Sequence, residues 1–390
     1  MKGPISRSES YEWSTFHHYD ERALSTGEAS EMSVWVRVVC GIAGLALQLV
    51  VLDAAIRTFL LPRVANVTFS RLSSRLVGLV FNWLARSSKE YLTRDRILSM
   101  YAPFVLLMYQ ASWLGMSLVA FALLFIAGGV TTFAHAFALS GSSLFTLGVT
   151  AAHGGTLSPL EFIEAAVGLT LLALLIAFIP TLYQAFQRRE YSVSRLSVRA
   201  GIPATPWGVL EIAQSVESYE RLDELWREWE QWFIDVGETH TTLIILNFYR
   251  SPNPKQTWIG SAATVLDAAA LFQAAVDVKP SPTAGLCIRS GWLTLRRLAD
   301  YFKLPYPTDV KQKLEIAITR EEFDIVLARL ERSGVPLVAD RDAAWRDFVG
   351  WRVNYDAIIE AMYTRFTCPR IDWHKAAAEP LVGPSNQRSA

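Results

Sequence analysis

Cysteine is scarce, and the three that occur stand far apart. Cys40, Cys287 and Cys368 form no CxxC pair and no Cys/His cluster, which argues against structural zinc and fits a reducing surround for the C-terminal half. Neither sign of charge predominates: 37 Lys and Arg balance 37 Asp and Glu, so no nucleic-acid partner is indicated. The phosphate-cradling G-x-x-x-x-G-K-[ST] pattern, the Rossmann glycines and a nucleophile elbow are missing. No enzyme activity, cofactor or metal is therefore expected. Runs of alternating apolar and polar residues are also rare, so strands are not expected.

What is abundant is apolar. Hydrophobic residues make up 51% of the 390, gathered in 34–61, 101–128 and 130–187, while charges dominate from Arg188 onward. A bilayer crossing needs about 20 such residues, and three stretches supply them: 34–61, 101–128 and 160–187. The first contains Gln48 and Asp53. Arg57 follows one helical turn later, so an ion pair on one face is expected. Pro103 sits in the first turn of the second span, where it does least harm. Residues 1–33, with His17 and His18, and 376–390 read as flexible tails. No cleaved leader is indicated, because polar residues precede the first apolar run.

Residues 64–97 mix apolar and basic side chains, and the run 76–84 is too short to cross. An interfacial helix is predicted there, with Phe81 and Trp83 at the lipid and arginines at the phosphates. The arginines are not spaced every third residue, so a voltage sensor is a poor reading. Basic flanks at 63–97 and from Arg188 belong on the cytosolic side. The N-terminal tail then lies outside, as does the segment 129–159, and residues 191–375 form a cytosolic helical domain. The fold class expected is an all-α, multi-pass protein of the plasma or inner membrane, with a pore domain over 34–190.

The segment 129–159 is too short for a domain and too apolar for an ordinary external loop. It reads as helix over 130–139, followed by the small-residue stretch Ser140-Gly141-Ser142-Ser143. A re-entrant helix and an extended strand between two spans is what a pore loop requires. Irregular backbone survives at membrane depth only where it lines a wet cavity or is buried in protein. A plain external loop between two lipid-packed helices is the alternative.

Phe145-Thr146-Leu147-Gly148-Val149-Thr150 resembles the selectivity filter of the potassium-channel pore-loop superfamily, of the two-transmembrane pore type. That pattern is Thr-Val-Gly-Tyr-Gly followed by Asp. Thr146, Leu147 and Gly148 match in type and order, whereas Thr150 and Ala151 replace the second glycine and the aspartate. The resemblance covers roughly residues 101–190. It implies a homotetramer around one pore, potassium or sodium as the transported cation, and a degenerate filter at Thr146, Leu147, Gly148, Val149 and Thr150. A β-branched threonine resists the dihedrals that glycine supplies, so only a partial carbonyl ladder and weak selectivity are implied.

By the same resemblance, Gly168 lies where an inner pore helix hinges and Pro180 where it bends. Gly168, Leu172, Leu175 and Ile179 would line an apolar gate. Glu161 and Glu164 would form carboxylate rings at the outer mouth, or merely suit a helix N-terminus. His153, beside Gly154-Gly155, reads as a solvated loop histidine.

Beyond residue 191, helices are predicted at 207–234, 241–249, 258–276, 283–302, 309–317, 320–332 and 343–366. The stretch 258–276 is apolar enough for a fourth span, but Asp267 and its many alanines favour a buried cytosolic helix. His240 reads as structural. The function expected is a pore-loop cation channel. The alternative is a non-conducting, membrane-anchored sensor or scaffold acting through its cytosolic helices.

Overall fold

The computed structural model describes residues 33–59, 68–88, 90–150, 157–216, 219–307 and 315–374. Expectations for both tails, for Ala151 and His153, and for most of 309–317 lie outside the described residues. Among those described, every regular element is helical. Four helical stretches are long and apolar enough to cross a bilayer. The chain divides into two compact units, Met1–Leu49 with Met116–Gly168, and Val50–Gly115 with Leu169–Ala390. Helices α1 (Val34–Phe59), α4 (Tyr101–Ala127) and α6 (Ser158–Ala200) contribute to both.

In the first unit, α1 lies against α4 because Gly44 carries no side chain. A Cβ there would stand 2.6 Å from the carbonyl oxygen of Ala120. Arg37 then closes the end of α4 by donating to the Ala127 carbonyl at 3.0 and 3.1 Å. Phe121, Phe125 and Ile126 of α4 form a small core with Ala136 and Leu139 of α5 (Phe133–Leu144).

The second unit holds the expected Asp53–Arg57 pair at 2.7 Å. The predicted interfacial helix is two pieces, α2 (Thr68–Arg86) and α3 (Tyr91–Ser99). Leu79, Val80 and Trp83 are exposed on α2, as an interfacial helix requires. Phe81 is only partly exposed. Its ring packs on Tyr101 and Phe104, 5.9 and 5.5 Å away.

Helix α6 does not end where the composition changes near residue 190. Arg189 is fully buried and donates to the carbonyls of Leu246 and Tyr249 at 2.9 and 2.7 Å, and to Glu190. Side chains entering protein on both sides of the junction keep the helix going to Ala200. Only Arg188 of the basic pair stays at the surface, 3.4 Å from Asp235.

The helix predicted over 207–234 is two, α7 (Pro206–Ser215) and α8 (Glu220–Thr242). Thr205 caps α7 and Pro206 fills its first turn. The Ser215 hydroxyl bonds back to Ile212 at 2.8 Å near the break, the local competition that makes serine a poor helix interior. The piece predicted at 241–249 is a short 3₁₀ turn, Ile244–Phe248. Helix α9 (Trp258–Ala275) and α10 (Pro282–Phe302) lie within a residue of expectation at each end, and α11 (Arg320–Arg332) begins on a Thr319/Glu322 capping box. The stretch 343–366 breaks into α12 (Arg341–Arg352) and α13 (Asp356–Phe366).

Helix α9 is enclosed by α7, α10, α12 and α13. Its alanines let those neighbours approach closely, and Asp267 meets Arg352 and the Tyr355 hydroxyl.

Candidate functional site

Helix α5 is twelve residues long, about 18 Å at 1.5 Å per residue. Ser140, Gly141, Ser142 and Ser143, predicted as an extended stretch, form its last turn. The partners of Ser140 outside the helix, on α4 and α6, tie this turn down. Ser143 bonds back to the Leu139 carbonyl at 3.1 Å, and Ser140 donates to Leu118 at 2.9 Å. Gly141 lies against Leu118, where a Cβ would make an ordinary contact at 3.6 Å.

At Phe145 the chain turns over. The Thr146 amide donates to Ser143 at 3.0 Å and the Leu147 amide to Ser142 at 2.8 Å, the paired bonds of a helix stop that needs a left-handed residue between them. Thr146 fills that place at φ 53°, a costly conformation for a β-branched side chain. Gly148 is left-handed too, at φ 65°. The Thr150 amide then reaches the Ser142 hydroxyl at 3.0 Å. The return loop thus runs back beside the helix it has just left. Leu147 and Val149 stand out from it, 63% and 80% exposed.

The anticipated second-glycine strain is displaced. Thr146, rather than Thr150, takes the left-handed backbone. Nothing lies within 4 Å of a Cβ built at Gly148, so its backbone, not crowding inside the chain, calls for glycine there.

Gly168 is a point of close contact. A Cβ there would be 2.3 Å from the Leu144 carbonyl oxygen, so the end of α5 rests directly on the backbone of α6. Ser140 and Glu164 lock the same contact with a short hydrogen bond. Glu164 is fully buried, which removes it from the outer mouth expected for it. Glu161 is partly exposed in the first turn of α6.

The face proposed for a gate is also divided. Leu172 and Ile179 are 47% and 49% exposed, whereas Leu175 is buried. Buried positions on α6 recur at Glu164, Gly168, Leu171, Leu175, Phe178 and Leu182, a spacing of three and four that marks one covered stripe. Leu175 and Gly168 belong to that stripe, and Leu172 and Ile179 stand at its exposed edge, roughly 40–60° round the helix from Leu175. Pro180 lies inside the continuous helix and is exposed.

The residues that sequence reasoning missed are Ser140 and Ser142. A signal was there: in helical phase, Ser140 shares a face with Ala136, Leu139 and Leu144, which are apolar and buried.

His240 is buried and takes an N–H from Arg189 at 3.1 Å through Nε2. Nδ1 therefore carries the ring proton, beside the Thr239 hydroxyl at 3.0 Å. Burial, then the neighbouring Arg189 charge, holds this imidazole well below its ordinary pKa.

No protein-family model matches this chain, and neither a curated protein nor a solved structure is significantly similar to it.

Proposed function

We propose that the chain is one subunit of a pore-loop cation channel. In this reading α1, α4 and α6 cross the membrane, and α5 with residues 145–150 forms the re-entrant loop between α4 and α6. The N-terminus lies outside and the C-terminal helices lie in the cytosol. Four chains would close one pore for potassium or sodium. Carbonyls of Thr146, Leu147 and Gly148 would offer oxygens to the ion, with Val149 and Thr150 completing a partial ladder. Leu172 and Ile179 would face the conduction path below it and gate by dewetting.

The observation that carries the reading is α5 and its return loop. The helix covers little more than half of a hydrocarbon core about 30 Å thick. It ends in irregular backbone that doubles back, and Ser140, Glu164 and Gly168 tie it to α6. Such backbone is tolerated at that depth only around a wet path or inside protein. A membrane-anchored scaffold is the second reading. The large closed core of the C-terminal helices favours it.

Reconstituted vesicles test both. The full chain should carry monovalent cations with weak discrimination between sodium and potassium, read as a small reversal potential under opposed gradients. Gly148→Ala should reduce the current sharply, because alanine resists φ 65°. A parent that assembles but carries no cation leaves the scaffold reading in place.

A further inference from the structure

A cavity of about 1020 Å³ opens among the parts of the second unit, at the upper end of the size range of ligand sites. Its wall combines two chemistries. Leu79 of α2, Val105 and Leu106 of α4, and Phe178 of α6 supply apolar surface. The ends of α10 and α13 supply Lys303 and Arg365. Four cations and two carboxylates line it in all.

The carboxylates are engaged. Asp95 pairs with Arg250 at 2.8 Å, and Asp300 accepts from the Tyr306 hydroxyl at 2.7 Å. Arg250 also donates to the Phe366 and Thr367 carbonyls, which offsets the negative end of α13. Arg57 is held by Asp53. Lys303 and Arg365 remain as the cations these carboxylates do not take. Arg365 lies over the rings of Phe248, Phe302 and Phe366 at 5.7 to 5.9 Å, and Phe302 is the residue that precedes Lys303.

The level of this cationic pair relative to lipid follows from its neighbours. The Phe248 ring that Arg365 covers stands 5.1 Å from Tyr101, the first residue of α4. On α2, Leu79 lines the cavity and is itself 69% exposed, and Trp83 one turn on is 72% exposed. Exposed tryptophan on an amphipathic helix belongs at the headgroup boundary. In the membrane arrangement proposed above, on which this placement rests, the cavity mouth would lie where headgroup and acyl chain meet.

We propose that this cavity binds one anionic phospholipid, its phosphate at Lys303 and Arg365 and an acyl chain along Leu79 and Leu106. The proposal does not depend on conduction. A free phosphate shares the head chemistry but has nothing to fill the apolar wall.

Native mass spectrometry of the full chain in maltoside detergent tests it, with dioleoyl-phosphatidylglycerol and dioleoyl-phosphatidylcholine as probes. The parent should take up one phosphatidylglycerol per chain, with roughly tenfold or greater preference over phosphatidylcholine, as two interfacial cations imply. Lys303→Gln with Arg365→Gln should abolish the preference. Lys303→Gln alone, at an exposed cap, should reduce it, and covers the case in which losing Arg365 from its rings unsettles the fold. Gly78→Trp should exclude both lipids, since a Cβ there meets nothing nearer than the Tyr101 ring at 3.8 Å and the indole would fill the space. Equal uptake of the two lipids by the parent overturns the proposal. So does displacement of phosphatidylglycerol by inorganic phosphate, which would make this a soluble-anion site.

Discussion

Helices α6 and α9 are both apolar enough to cross a bilayer, yet their surroundings are opposite. In the most apolar window of α6, 28% of residues are buried within the chain, against 89% for α9. The exposed side of α6 carries Leu169, Leu172, Ile176 and Ile179, which none of the described residues covers. Around α9, four helices have already done so. Hydropathy reports how much apolar surface a helix has, not what covers it. The two cases diverge on polar residues. Glu164, on the covered stripe of α6, finds a hydroxyl on α5, whereas Asp267 on α9 finds a full ion pair with Arg352 and a tyrosine.

The comparison breaks most decisively at the two ends of α9. Cysteines placed at Lys255 and Lys279, both exposed, should give the same all-or-none result in a chain whose three native cysteines are replaced. Neither should react with a membrane-impermeant maleimide in intact cells, and both should react after permeabilisation. Val149→Cys, in the return loop, should react at once. If the two ends of α9 lie on opposite sides, it is a fourth span and its enclosure by helices is wrong.

A smaller effect should come from Arg352→Ala. The guanidinium is 4% exposed and bridges Asp267 and Asp356. Removing it strands the Asp267 carboxylate inside the helical core, a loss of about 3–5 kcal/mol. Thermal unfolding of the full chain in detergent should show a sharply lowered midpoint. Little or no change would mean that α9 is not held by that pair.

Much of this architecture was legible in the residues. The apolar runs, the Asp53–Arg57 pair, the capping box at Thr319 and the helical, strand-poor character all follow from local pattern. Asp267 was a usable sign that α9 is covered by protein, because a carboxylate in an apolar helix needs a partner. Other features depended on partners distant in the chain. Ser140 to Ser143 suit a loop or a helix equally, and only Leu118 and Glu164 decide for the helix. Glu164 looked like a solvent-facing carboxylate because its charge is visible in sequence and Ser140 as its partner is not. Arg189 looked like a membrane flank, but the carbonyls that bind it lie some sixty residues on. How much of that face of α6 the rest of the chain covers was likewise not legible from Gly168 and Pro180 alone: Leu175 is buried, whereas Leu172 and Ile179 beside it are half-exposed.

The smallest expected effect lies beside α9, at His240. Its ring stands 5.2 Å from that of Trp258, the first residue of α9, and accepts a hydrogen bond from the buried Arg189. Burial and that positive neighbour keep it neutral in the folded chain, its pKa well below the usual value. In the unfolded chain a histidine titrates near pH 6.5 or so, by its ordinary behaviour. Below that point the unfolded state binds a proton that the folded state refuses, so stability falls as pH drops from about 6.5 toward the folded pKa. Above that window the group contributes no pH dependence. His240→Gln keeps an acceptor for Arg189 and cannot titrate. Its unfolding midpoint should therefore fall less steeply between pH 7 and 5, by up to about one proton of linkage. Carboxylates titrating in the same range affect both proteins alike, so the difference in slope isolates the imidazole. Identical slopes would mean that His240 accepts its proton in the folded core, and that the seat of α9 is wetter than its enclosure implies.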